Sequence, residues 1–338
     1  TEIYTLSLHD ALPIYLRGEI VEILKPGPGR VAPACPLYGE CGGCNLMHLS
    51  YRAQLESKLD IARDAWRRSG GIDSVDFEVV ESEPFGYRNR AQFHRTPAGG
   101  VGYARRSSSS VLDVDSCPVL AGPLAEWLES SAGPRLPDAG RFVAFGREGK
   151  TFIEGIDREA DVAVNGKRFR FDVGGFFQSN LGMVERLVPA VCDGPSGERA
   201  ADLYCGVGLF GAFLKESFSR LACVEQDKRS IGYACSNVGA PAGFSAMSME
   251  EWTKSAQARE RYDYVVVDPP RAGLSAAVRS WLTSSRPRLI GYVSCDPVSL
   301  ARDAGALVKA GYSVDHAAIY DFYPQTSHLE SYARFRLD

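Results

Sequence analysis

The chain has 338 residues, 45% of them hydrophobic, and a formal net charge of −4. That length exceeds the usual single domain, so two or three units with real cores are expected. An acidic balance gives no general attraction to nucleic acid, so any RNA site must be a local patch. No apolar run approaches the roughly 18 residues a bilayer span needs, and no segment has the charged start and apolar middle of a signal peptide. A soluble, cytoplasmic monomer with no membrane partner is therefore the expectation.

In chain order, Thr1–Ile14 shares no pattern with the rest of the chain and resembles the in-frame translation of a sequencing-library adapter. Residues 1–14 are expected to be non-native and are set aside. Tyr15–Leu24 alternates like a β-strand and runs into a Pro/Gly turn at Lys25–Arg30. One strand does not fold alone, so residues 15–34 read as the surviving edge of a larger module. A helix is predicted over Tyr51–Arg68. From about Val75 to Phe171 the pattern is short alternating strands with Gly/Pro turns, broken by a helical stretch near Pro123–Ser131. Residues 35–175 thus form a smaller α+β region.

From Phe176 the rhythm changes. Arg199–Tyr204, Leu221–Glu225, Tyr262–Asp268 and Leu289–Ser294 are short apolar runs of the buried parallel-strand kind, with helical patterns between them. Residues 176–338 are predicted to be a doubly wound α/β domain.

Asp202-Leu203-Tyr204-Cys205-Gly206-Val207-Gly208 lies where the first of these strands turns into a helix, and its glycines permit close approach of a ligand. Glu225 ends the next strand, where an acid commonly binds the ribose hydroxyls of an adenosine cofactor. The turn lacks the third glycine of the dinucleotide fingerprint, which favours S-adenosylmethionine over NAD. Asp268-Pro269-Pro270-Arg271 ends a central strand on a rigid loop facing the same crevice.

Ser294-Cys295-Asp296-Pro297 ends another strand and opens a helix, with Asp296 as N-cap and Pro297 as first helical residue. The dipole of that helix favours a Cys295 thiolate and the Asp296 charge opposes it; spacing alone does not decide between them. Cys192, Cys205, Cys223 and Cys235 read as buried structural cysteines. Glu330, at the start of a final strand over Tyr332–Leu337, is a candidate base by type, although an acid at a strand start is commonly a solvated rim charge.

Nine cysteines, an odd number with three crowded near the start, argue against a disulfide framework. Cys35, Cys41 and Cys44 share one loop, and Cys117 can complete a set of four, suited by count to zinc or to an iron–sulfur cluster. Pro84–Leu112 carries Arg88, Arg90, Arg95, Arg105 and Arg106, no acid, and the interleaved rings Phe85, Tyr87, Phe93, His94 and Tyr103. Guanidinium groups there can hold phosphates while rings stack on unpaired bases, or the stretch is an ordinary sheet face.

Together these strings resemble the RNA 5-methyluridine methyltransferases, in particular the iron–sulfur branch acting on 23S ribosomal RNA. The resemblance runs from about Tyr15 to Asp338. It rests on the Cys35–Cys44 string, Phe176-Phe177-Gln178-Ser179-Asn180, the Asp202–Gly208 turn, Asp268–Arg271, Ser294–Pro297 and Gln325-Thr326-x-His328-x-Glu330. It implies a Rossmann-like methyltransferase domain, a 4Fe-4S cluster on Cys35, Cys41, Cys44 and Cys117, and a cofactor site at Gln178, Tyr204, Glu225 and Asp268. It further implies Cys295 as nucleophile, Glu330 as proton acceptor and RNA as partner, with an amino-terminal TRAM barrel of which only Tyr15–Leu24 remains. Leu209 departs from the family, which usually has a polar residue beside the cofactor there. Two other readings are the same reaction on transfer RNA and a non-catalytic cluster-bearing RNA-binding protein.

Overall fold

The structure is a computed structural model and describes residues 20–130 and 136–338. Ser50 accepts the Ala53 N–H and starts helix α1 (Tyr51–Ala65), which ends in a π-helical turn, Trp66–Gly70, closed by Gly71 at φ 66°. Strand β1 (Glu78–Val80) follows. Next come β2 (Arg90–Arg95), β3 (Val101–Ala104), β4 (Val111–Asp113), helix α2 (Gly122–Leu128), β5 (Arg141–Arg147) and β6 (Lys150–Ile153). The strands from β2 to β6 form one antiparallel sheet in the order β4-β3-β2-β5-β6, and β7 (Glu159–Val164) pairs with β8 (Lys167–Asp172) as a separate ribbon.

The remainder alternates: α3 (Leu181–Cys192), β9 (Gly197–Leu203), α4 (Gly211–Leu214), β10 (Phe218–Glu225), α5 (Lys228–Val238), β11 (Ala242–Ala246), α6 (Met249–Trp252), β12 (Tyr264–Val267), α7 (Ala276–Ser285), β13 (Leu289–Ser294), α8 (Pro297–Lys309), β14 (Tyr312–Tyr320) and β15 (Glu330–Leu337). They build an eight-stranded sheet ordered β1-β14-β15-β13-β12-β9-β10-β11. Every neighbouring pair is parallel except those made by β15, which runs antiparallel to both β13 and β14.

Strands β12 and β13 are buried along their whole length because helices cover both faces. In β13, Ile290 and Tyr292 enter one core while Leu289 and Val293 enter the other. The expected α/β fold is therefore present, with strand order reversing between β9 and β12. At such a switch point ligands bind beyond the carboxyl ends of the strands. Among the described residues no helix is long and apolar enough to cross a membrane.

Three expectations need correction. Of the predicted strand Tyr15–Leu24, residues 15–19 lie outside the described set, as do residues 1–14, and Ile20–Leu24 is exposed irregular chain. The segment from α1 to β1 does not stay with the smaller sheet: the π-turn packs on α8, where a Cβ added to Gly305 would clash with the backbone of Gly70, and β1 pairs with β14. Cys235 is exposed on α5, whereas Cys192, Cys205 and Cys223 are buried as expected.

Candidate active site and cysteine cavity

Parallel pairing aligns the ends of β9, β10, β12 and β13. Leu203 stands opposite Val224 and Val267, and Val267 opposite Tyr292, so Tyr204, Glu225 and Asp268 emerge on one edge. Glu225 accepts the Gly206 N–H at 3.2 Å and the Asp227 N–H at 2.9 Å, tying the glycine turn to the next strand. The turn is sharp: Tyr204 (φ 63°), Gly206 (φ 53°) and Gly208 (φ 85°) are all left-handed. A Cβ on Gly208 would come within 2.5 Å of Val238, whereas one on Gly206 would meet nothing within 4 Å, which leaves open space beside the turn. Asp202 lies below it, fully buried, accepting the Gly211 N–H at 2.8 Å with one carboxylate oxygen, while the other has no partner. Burial raises the Asp202 carboxyl to about 8. Leu209 is buried in an apolar core cluster. Gln178 is buried two residues before Asn180, the side chain that caps α3.

The antiparallel strand β15 brings the other half of the site. Ser294 stands opposite Ser331, so Cys295 and Glu330 leave adjacent strand ends side by side. Cys295 is half-buried and Glu330 is 4% exposed. Burial, reinforced by the charges of Glu330 and Asp268 and opposed by Arg271, pushes the Cys295 thiol up to about 11. Burial pushes Asp268 up to about 7, and burial plus the Asp268 charge holds Glu330 well above the usual carboxylate range. Asp296 directs its charge at the cap, accepting the Ser299 N–H at 2.7 Å. The balance left open by spacing thus falls on the side of the neutral thiol, decided by burial and by carboxylates distant in sequence.

Arg271 reaches the His328 ring at 3.4 Å, and His328 packs edge-on against Tyr323 at 5.9 Å between centroids. Sequence reasoning misses Tyr323, because a lone Tyr between motifs carries no periodic signal.

Cys35, Cys41, Cys44 and Cys117 line one cavity of about 430 Å³ together with Arg88, Tyr103, Met47 and Val119. Burial and the neighbouring sulfurs Cys117, Cys41 and Cys35 push Cys44 up to about 12. Among the described residues no group of three or more His, Cys, Asp or Glu is placed to hold a metal ion as it stands. The arginine and aromatic stretch is only partly a surface. Alternation along β2 turns Phe93 inward, where it stacks on Tyr103 at 5.0 Å and packs against Trp127 and Phe142. Tyr87 is buried, Arg90 donates to the Gly175 carbonyl, and Arg105 pairs with Glu40. Phe85, Arg95 and Arg106 are exposed.

Residues 146–335 match the family described as tRNA (Uracil-5-)-methyltransferase. An uncharacterized RNA methyltransferase of Treponema denticola is 31% identical, over 99% of this chain and 91% of that protein. The 23S rRNA (uracil(1939)-C(5))-methyltransferase RlmD of Vibrio parahaemolyticus is 29% identical, over 95% of this chain and 85% of its own. Among solved structures, the tRNA (uracil-54, C5)-methyltransferase of Pyrococcus abyssi in complex with S-adenosyl-L-homocysteine superposes with a TM-score of 0.68 at 26% identity, covering 93% of this chain and 88% of that one. With the glycine turn, the acidic strand ends and the cysteine on one sheet edge, the chain belongs to the S-adenosylmethionine-dependent RNA uracil-5-methyltransferase family.

Proposed function

We propose that the chain methylates carbon 5 of a uridine in 23S ribosomal RNA through a covalent Cys295–uracil adduct. The observation that carries this reading is the Ser294–Ser331 register, which sets Cys295 beside Glu330 at the sheet edge bearing Tyr204, Glu225 and Asp268. Carbon 5 of uracil is a poor nucleophile until a thiolate adds at carbon 6. Cys295 makes that bond, and the electron pair displaced from the 5,6 double bond gives carbon 5 enolate character. S-adenosylmethionine, when bound, would supply an electrophilic methyl group to carbon 5, its sulfonium sulfur keeping the electron pair of the broken carbon–sulfur bond as a neutral thioether. Glu330 then accepts the proton of carbon 5, the double bond re-forms, and the Cys295 sulfur departs with the electrons of the carbon–sulfur bond. Arg271 stands beside the thiol as the cation that offsets the two carboxylates.

Gln178, Tyr204, Glu225 and Asp268 are the residues we assign to the cofactor. The open space at Gly206 and the position at the strand-order reversal support a nucleoside ligand there. The uridine must leave its stack to reach Cys295, at a cost of a few kcal/mol that is smaller in a loop than in a helix.

Cys35, Cys41, Cys44 and Cys117 fit a 4Fe-4S cluster. Four thiols lining one cavity of about 430 Å³ leave room for a multi-atom cluster. Three of these thiols share one loop and the fourth follows β4, so the cluster would act as a staple between segments.

Methyl incorporation into purified 23S and transfer RNA tests the substrate. Label confined to transfer RNA would overturn the ribosomal assignment. Cys295→Ala should abolish the covalent complex with 5-fluorouridine RNA, and a complex that survives this substitution removes Cys295 from the role of nucleophile.

A further inference from the structure

The segment that delivers His328 and Glu330 to the thiol, Tyr323–Leu329, belongs to no helix or strand. It is held from outside the methyltransferase sheet. The Gln325 carbonyl accepts both the Asn45 and the Leu46 N–H at 3.0 Å, immediately after Cys44. Asn45 and Ser327 bond reciprocally: the Ser327 N–H donates to Asn45 Oδ1 at 2.8 Å, and Asn45 Nδ2 donates to Ser327 Oγ at 3.0 Å. Gln54 of α1 accepts the Gln325 N–H at 2.8 Å and donates to Gln325 Oε1 at 3.0 Å. Tyr87, packed among Cys35, Cys44 and Cys117, donates its hydroxyl to the Pro324 carbonyl at 2.9 Å.

Gln325 is left-handed at φ 68°, a conformation that a non-glycine residue keeps only where its surroundings over-determine it. These bonds supply that determination. Two of the clamping elements, the loop after Cys44 and the Tyr87 packing, adjoin the cysteines that line the cavity.

We infer that Asn45, with Gln54, is a positioning residue for the reaction: the cysteine loop is the mould that fixes Tyr323–Leu329 and so aims Glu330 at Cys295. The link to catalysis rests on the proposed role of Glu330, but the mould itself does not. Whatever occupies the cysteine cavity is thereby coupled to the active site through hydrogen bonds, without any redox step.

The test is hydrogen exchange followed by mass spectrometry on the full chain, comparing the protein as isolated, the protein after chelation of any bound iron, Asn45→Ala and Asn45→Asp. Chelation and Asn45→Ala should each raise exchange in Tyr323–Leu329 by about tenfold or more while α8 stays protected. Asn45→Asp retains an acceptor for the Ser327 N–H and should restore protection. In Asn45→Ala, kcat should fall with KM for S-adenosylmethionine unchanged, because the cofactor edge lies on other strands. Unchanged exchange in Asn45→Ala overturns the inference whatever turnover does. Loosened exchange with undiminished kcat also overturns it, because Asn45 would then hold Tyr323–Leu329 without aiming Glu330. If Asn45→Ala does not fold, Gln54→Ala, which removes the acceptor of the Gln325 N–H and the donor to Gln325 Oε1, is read in the same way.

Discussion

The hydroxyl of Tyr292 donates to Asp303 Oδ2 at 2.8 Å, joining the middle of β13 to α8. The same oxygen accepts the Leu274 N–H at 2.8 Å, and Oδ1 accepts from Arg279 at 3.0 Å and from Arg302 at 2.9 Å. One buried carboxylate therefore ties the loop after Asp268 to the helix that follows Cys295. A Cβ on Gly273 would come within 2.8 Å of Asp303, so the loop approaches closely enough to be held.

Replacing Asp303 by Ala leaves two guanidinium groups and a buried N–H without their acceptor. A loss of about 3–5 kcal/mol in stability is expected, with Asp303→Asn losing less because it keeps one acceptor oxygen. Denaturant unfolding of the two variants measures this, and equal losses would show that the charge rather than the bonds matters.

Glu330→Gln keeps the size of the side chain and removes its capacity to take a proton. Methyl transfer should proceed once and the enzyme–RNA adduct should accumulate on ordinary uridine RNA, with steady-state turnover down by about 10²–10⁴-fold. Denaturing gels with labelled RNA read the adduct directly. Free product released at the unaltered rate would assign the proton to another acceptor.

A thiol pushed up to about 11 is almost wholly protonated at neutral pH. Since the thiolate is the nucleophile, the rate of adduct formation with 5-fluorouridine RNA should rise about tenfold per pH unit between roughly pH 7 and 9. Replacing Arg271 by Gln should raise the thiol further and slow the reaction at every pH in that range. A rate indifferent to pH would mean that RNA binding itself deprotonates Cys295.

Asp202 has a folded-state carboxyl near 8 against an ordinary 3.8, because burial disfavours its charge. The unfolded chain ionises first, so the destabilisation is absent below the ordinary value. It grows as pH rises and is complete above the folded value. Stability attributable to this group should fall with pH at up to about 1.4 kcal/mol per unit across that window. Asp202→Asn, which can still accept the Gly211 N–H, should flatten the profile. Thermal unfolding at pH 5 and pH 8 compares the two proteins, and identical slopes would refute the assignment.

Much of the fold was legible because local rules and tertiary structure agree. Leu289–Ser294 is strand β13 residue for residue, and Asp296 caps α8 as its spacing with Pro297 required. The aromatic stretch was misleading for a physical reason. Period-two alternation shows that Phe93 and His94 face opposite ways, but not which face finds a core. At Tyr87, too, a ring that could have stacked on a base is used for packing.

The residue strings alone placed Tyr204, Glu225, Asp268 and Cys295 at strand ends, since a short apolar run followed by a turn or a cap has few other solutions. Tertiary structure decided what those ends meet. Strand β15 enters the sheet antiparallel between β13 and β14, and that pairing brings Glu330 to Cys295 across a separation of 35 positions. Local sequence reports backbone preference over a few residues; charge, burial and proton affinity depend on neighbours that only the folded chain brings within reach.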